Sequence, residues 1–227
     1  MSTSELAANT HAASPRRSQH ERTEAMRLRL VEATVASLAE DGYAGTTLSS
    51  IVRRAGVSRG AQVHHFPTKQ ALMLHTAEFL LRETYRDLGE VLLSITRADD
   101  RLEALVEDSW RTLFGTKRFT AYLELLAASQ HDRNLADELQ ALLVRASDLY
   151  RPATDHYFRR RRQENAAPHL VFLQLCALLS GLAAHRHLVD DDQLISSQLR
   201  LWVEQTSRQL RARPVKDRPP LKHPPPS

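Results

Sequence analysis

The sequence predicts an all-α fold of about nine helices, in which a small N-terminal three-helix domain with a helix-turn-helix precedes a larger helical domain. Three observations carry this. Apolar residues recur at a period of 3.6 through nearly every segment between the two termini. The chain is rich in Leu, Ala, Arg, Glu and Gln, all good helix formers. Its 227 residues include only 7 glycines and 6% aromatics, too few for a turn-rich β-sandwich, and no segment reads as a credible strand.

Residues 1–20, rich in Ser, Thr and Ala and without periodicity, read as a disordered arm. The first helix is expected from about Glu21 to Asp41 on the stripe Leu28, Val31, Val35 and Leu38, with Gly42 ending it. Thr47 stands at an N-cap position before a second, short stripe of Leu48, Ile51, Val52 and Ala55. Gly56 closes that helix and Ser58 caps a third. Phe66-Pro67-Thr68 breaks the chain, and Thr68 opens a long fourth helix through Leu72, His75, Phe79 and Leu80.

Further helices are expected over Arg101–Phe114, closed by Gly115, and over Phe119–Gln130. Another spans Asp132–Tyr150, is interrupted at Pro152 and resumes to about Asn165. Pro168–Val189 and Asp190–Arg211 complete the set, Asp190 and Gln193 resembling a capping box with Asp in the usual Ser/Thr place. Residues 212–227 hold six of the ten prolines and read as a disordered basic tail. The two folded domains then cover residues 21–84 and 85–211.

Charge divides the chain the same way. Arg16 to Lys69 carries nine Lys/Arg against five Asp/Glu, and Arg208 to the end carries six against one, so the residues between are acidic overall. A basic front end fits a polyanionic partner. Cys176 is the sole cysteine, which excludes an internal disulfide and a thiolate-rich metal site and fits a reducing cytoplasm. The 11 histidines lack the i, i+4 pairing that helical metal ligands use, so no metal site and no cofactor is expected.

The chemistry lies in residues 47–66. Two short helices joined by a tight turn with glycine make a helix-turn-helix. Ile51, Val52 and Ala55 pack inward, Gly56 supplies the turn and Val57 fills the angle between the helices. The second helix then presents Ser58, Arg59, Gly60 and Ala61 at its N-terminal end, free to enter a major groove.

Several features occur in register: Gly42-Tyr43, Thr46-Thr47, Ala55-Gly56-Val57-Ser58, Gly60, His65-Phe66 and Lys69. Over roughly residues 24–84 the chain resembles the tetracycline-repressor-type (TetR) family of bacterial regulators. The resemblance implies groove-reading by Ser58, Arg59, Gly60, Ala61 and His64. It implies phosphate contacts by Thr47, by Val63 or His65, and by Lys69. Arg59 can donate two hydrogen bonds to a guanine edge, and the helix starts at Thr47 and Thr68 suit phosphate oxygens. Gln62 stands where the family usually has a core Leu, and Val63 where it often has a phosphate-binding Tyr. Either the helix is rotated to turn Val63 inward, or Gln62 reads DNA or finds a polar partner.

Leu170 to Ala184 is apolar nearly all round, yet interrupted by Gln174, Ser180 and Gly181, and fifteen residues are short for a membrane span. A helix covered on two sides fits better, one side by a partner subunit. In the proteins it resembles, the last two helices build a four-helix bundle across a twofold axis, which implies Leu175, Leu178, Leu182, Leu199, Trp202 and Leu210 as interface residues. Trp110, Phe114, Tyr122, Ser129 and Gln174 combine aromatic and polar groups on the middle helices and are the expected lining of a small-molecule effector site. Cys176 reads as an inert buried thiol.

The expected function is a cytoplasmic, ligand-responsive regulator, by default a repressor, that binds a pseudo-palindromic duplex operator as a homodimer. The competing reading is an enzyme or a non-DNA helical binding module, but the chain has no GxSxG, Walker, HExxH or Rossmann pattern.

Overall fold

The computed structural model describes residues 19–97, 100–188, 191–215 and 217. Nearly all of the expected N-terminal arm, most of the tail, and Asp190 lie outside the described residues. Among the described residues nine α-helices follow in order: α1 Gln19–Gly45, α2 Leu48–Ala55, α3 Arg59–His65, α4 Lys69–Arg97, α5 Arg101–Ser109, α6 Lys117–Ser129, α7 Arg133–Tyr157, α8 Pro168–His185 and α9 Asp192–Ser207. The fold is all-α apart from one ribbon described below.

Local chemistry sets most boundaries. Gly42 is expected to end the first helix, and its φ of 70° breaks α1 there before a last short turn. Asp100, Thr116 and Asp132 cap α5, α6 and α7 with their side chains. The cap of α9 is Asp191, whose carboxylate accepts from the amides of Gln193 and Leu194 at 2.9 and 3.0 Å. After α5 the chain widens into a π turn over Trp110–Phe114, closed by the Gly115 amide on the Trp110 carbonyl at 2.7 Å. A β-carbon at Gly115 would stand 2.8 Å from that carbonyl, so the close approach requires glycine.

Two apolar cores share the long helices. One gathers Leu30, Val31, Leu38 and Ile51 with Leu72, Met73 and Leu80 of α4 and Ala121 and Leu125 of α6. The other takes Leu88, Val91, Leu92 and Ile95 from further along α4, with residues of α5 to α9. The change of core falls between Leu80 and Leu88 inside α4, which therefore runs through both expected domains. The stripe of α1 is also wider than expected. Leu30, Ala33, Thr34 and Ser37 are buried while Leu28 is exposed, because α1 packs on α2 and α4 on one side and on α6 on another.

Three expectations about the second half are corrected. Pro152 does not interrupt the helix: α7 continues to Tyr157. Proline in a helix costs about 3 kcal/mol, but the turn that follows seats Ala153 and Tyr157 fully in the core, and the Tyr157 hydroxyl donates to the Leu92 carbonyl at 2.8 Å. The chain then forms a strand, β1 Phe158–Arg160, antiparallel to β2 Leu210–Ala212, where only helix was expected. Finally, α9 stops at Ser207, so Leu210 belongs to β2.

α8 is long and apolar enough to cross a membrane by length and composition alone. One side of it, Val171, Phe172, Leu175 and Leu179, is buried in the core.

Candidate nucleic-acid interface

The helix-turn-helix is held by a closed set of local bonds. Thr47 caps α2 in a reciprocal box: the Ser50 amide donates to Thr47 Oγ1 at 3.1 Å, and the Thr47 amide donates to Ser50 Oγ at 3.0 Å. Gly56, with φ 61°, takes the left-handed position that ends α2. Arg29 from α1 donates through Nη2 to the carbonyls of Ala55 and Gly56 at 2.7 and 3.2 Å, satisfying acceptors that the helix end leaves open. Ser58 Oγ accepts from the Ala61 amide and starts α3. Arg29 was not recognised from sequence, because nothing local links it to a turn 26 residues away.

These bonds aim the N-terminal end of α3 outward. Ser58, Arg59, Gly60 and His64 are exposed and Ala61 is half-buried. Among the described residues no carboxylate lies within ion-pair distance of Arg59. A side chain on Gly60 would meet only Ser58 Oγ, at 3.9 Å. The protein's own packing therefore does not require glycine there, and the space is open to an incoming surface.

Gln62 settles the choice left by the sequence. It is 0% exposed and Val63 is 48% exposed, so the helix is not rotated and Gln62 fills the core position. Its amide nitrogen donates to the Phe66 carbonyl, while its Oε1 is buried without a partner.

The expected phosphate contacts are arranged less simply. The Thr47 hydroxyl and amide are spent on the cap, which leaves the Leu48 and Ser49 amides at the start of α2. Lys69 is half-buried: Nζ donates to the Tyr43 carbonyl at 3.2 Å and lies 4.5 Å above the Tyr43 ring, and burial pulls its pKa down. His65 packs edge-on against His64, and burial followed by that neighbour lowers its pKa. Arg54 is held by Glu40 at 2.6 Å and Asp41 at 3.3 Å, and these pairs raise its pKa while lowering that of Glu40. Arg53 is exposed beside it with no such partner among the described residues.

The domain is wired to α6. Glu124 Oε2 accepts from the Tyr43 amide at 2.8 Å, and Lys117 reaches Glu40 at 3.4 Å. With Lys69 on the Tyr43 carbonyl, one peptide segment joins α6, the turn before α2 and the start of α4.

Among the described residues the expected effector lining packs together rather than enclosing a pocket. Phe114 stacks on Phe119 with centroids 4.6 Å apart, and Phe119 on Tyr122 at 5.5 Å. Trp110 lies against Gly115 with the Arg186 guanidinium 5.9 Å from its ring. Ser129 donates to Leu126 at the end of α6, and Gln174 faces outward. The enclosed space near Tyr122 is about 10 Å³, lined also by Glu83, Asp87, Thr116 and Arg118. That is room for at most about one water. A larger hollow of about 730 Å³ beside Asp191, Leu194 and Arg200 is an open surface groove, away from these aromatics.

The expected interface residues separate too. Leu175, Leu199 and Leu210 are buried in the chain's own core. Leu182 and Trp202 pack on the rim of that core, and Leu178 is half-buried. The exposed leucines of α8 and α9 are Leu170, Leu173, Leu194 and Leu201. Burial pushes the Cys176 thiol up to about 12.

Among the described residues no three His, Cys, Asp or Glu side chains stand together to hold a metal ion.

Residues 30–76 match the family described as "Bacterial regulatory proteins, tetR family". The regulator CymR of Pseudomonas putida is 35% identical over 130 residues, 57% of this chain and 64% of that protein. The chain spans less than two thirds of the length of the curated relatives it matches. A TetR transcriptional regulator from Chloroflexus aurantiacus shares the fold with a TM-score of 0.66 at 16% identity, over 85% of this chain and 99% of that one. A regulator from Saccharomonospora viridis solved in complex with choline matches with a TM-score of 0.64 at 16% identity, over 83% of this chain and 99% of that one.

Proposed function

With an N-terminal domain of the bacterial tetR regulatory family on a fold of the same type, we propose that this chain is a sequence-specific DNA-binding transcriptional regulator of the bacterial cytoplasm. The observation that carries the reading is the exposed N-terminal end of α3. Among the described residues Arg59 has no ion-pair partner, Gly60 leaves room, and both are fixed by caps at Thr47 and Ser58. Such an end fits the major groove, with Arg59 as the base-reading side chain and the open amides of α2 on the flanking phosphates. Selection of bound fragments from genomic DNA tests this: a shared pseudo-palindromic sequence is expected, and retention of all duplexes alike sinks the proposal.

The acting form is a homodimer whose outer α8 and α9 surfaces, with Leu170, Leu173, Leu194 and Leu201, cover one another. Four exposed leucines on two neighbouring helices supply apolar surface of the kind an interface uses.

For the effector, the α4–α6 junction is the best-supported place. Arg118 bridges Glu83 at 2.7 Å and Asp87 at 2.6 Å, and Asp87 is 3% exposed, its pKa raised by burial. A ligand that displaces Arg118 meets two carboxylates and the Tyr122 ring, which suits a small organic cation. The choline complex of the Saccharomonospora viridis neighbour agrees with that chemistry. Release of DNA requires the ligand to prefer the non-binding conformer. Calorimetric titration with choline and with neutral analogues tests the site: cations should bind the wild type and not Asp87→Asn. Equal binding of neutral molecules would place the effector elsewhere.

A further inference from the structure

The ribbon of β1 and β2 has two unlike faces. Phe158 and Leu210 are buried in the core, whereas Arg159 and Arg211 stand directly opposite each other and are exposed. The period of two places Arg161 and Arg213 on the same outer face. The ladder extends to both of them, since the Arg161 amide donates to Gln209 and the Arg213 amide to Tyr157, each at 2.8 Å. Like charges opposed across two strands are destabilising. Among the described residues no carboxylate lies within ion-pair distance of these four arginines; the neighbouring Glu164 and Glu204 pair with Arg162 and Arg208. Arg161 and Arg213 are partly spent on the carbonyls of Ser207 and Asp155, whereas among the described residues Arg159 and Arg211 have no such bond.

The ribbon is fixed rather than loose. Arg101, buried without a carboxylate, donates to the carbonyls of Ile95 and Thr96 at the end of α4 and to those of Arg213 and Val215. The 29 residues of α4, at about 1.5 Å each, put roughly 40 Å between that clamp and Lys69 beside the reading head. A duplex lying on α3 is therefore out of the ribbon's reach.

We propose that this arginine face is a second nucleic-acid site, which holds the phosphate backbone of another duplex segment without reading its sequence. The arginine fork matches phosphate oxygens. Alternate residues of a strand lie about 6.6–6.8 Å apart, so the arginines of this face are spread over a length on which a duplex presents several phosphates, at roughly 3.4 Å of axial rise each per strand. A protein partner would be expected to engage aromatic or aliphatic anchors at the centre of its patch, and this face has none. The site goes beyond the regulator reading and stands independently of α3.

The test uses the full chain, a random-sequence 30-base-pair duplex and polyglutamate as probes. Binding is measured against salt for the wild type, for Arg59→Ala, and for Arg159→Gln with Arg211→Gln. The double variant removes an opposed pair of like charges, so its thermal midpoint should hold or rise. Its slope of log K against log salt on the random duplex should fall by about 2 per chain, at roughly 0.9 per phosphate lost. Its preference for the selected operator should be unchanged. The same loss of slope should appear in the Arg59→Ala background. An unchanged slope overturns the second site and leaves the regulator reading intact. Polyglutamate captured as tightly as the duplex, and lost in the double variant, overturns it in favour of an acidic protein. If Arg59→Ala leaves operator preference intact while the double variant abolishes it, the regulator reading of α3 fails instead.

Discussion

Gln62 shows how far one residue can depart from its position's chemistry. Its side chain occupies a core slot, yet half of its amide has no partner. A buried unsatisfied acceptor costs about 1–3 kcal/mol, against one bond to Phe66 that is made. Gln62→Leu should therefore raise the thermal midpoint, by about 2–4 °C if the net gain is near 1 kcal/mol, and leave operator preference unchanged. A lower midpoint by circular dichroism would show that the Phe66 carbonyl needs the Gln62 amide more than the core needs a leucine. Arg59 is the opposite case, a side chain with no internal duty. Arg59→Ala should cost about 1–3 kcal/mol of operator affinity and relax one base pair per half-site, with stability unchanged. Equal loss on random duplex would reduce it to a phosphate contact.

Helices meet where local signals are silent. α6 touches the reading domain through Glu124, which accepts the Tyr43 amide, and Lys69 holds the carbonyl of the same residue from α4. Hydrogen bonds to charged groups contribute about 1.5–3 kcal/mol, so this small junction is where the proposed effector site would act on the angle of α2 and α3. Glu124→Ala should lower the unfolding free energy by a similar amount and speed amide exchange at Tyr43. It should also weaken the effect of any effector on DNA affinity. Undiminished effector response would show that the coupling runs through α4 packing alone. Caps and glycines were legible here because they act within four residues. The Glu124–Tyr43 and Arg29–Ala55 bonds span 81 and 26 residues and leave no periodic trace.

For the whole molecule, the division between inward and outward leucines bears on the proposed homodimer. Leu173 and Leu201 face out while Leu175 and Leu199 face in. Leu173→Glu with Leu201→Glu should leave helicity and thermal midpoint nearly intact, shift sedimentation to the monomer and weaken operator binding. Leu199→Ala should instead destabilise by about 2–5 kcal/mol through a core cavity while the surviving folded protein remains dimeric. A dimer that persists in the double glutamate variant would move the interface off α8 and α9.

The sequence by itself determined the all-α class, the two short helices of the helix-turn-helix, their caps at Thr47 and Ser58, the turn at Gly56 and the exposed Arg59. All of these follow from chemistry within a turn or two of chain, which periodicity and capping residues record directly. Tertiary structure decided the rest. It turned an almost uniformly apolar α8 into one buried and one outer face, and carried α7 past Pro152 because the burial of Tyr157 outweighs the proline's cost. It also paired two arginine-bearing segments fifty residues apart as strands, and closed the aromatic cluster around Phe119. An apolar residue fits equally well in its own core, in a partner's or in a pocket wall. Only the placement of distant helices determines which of these surrounds it.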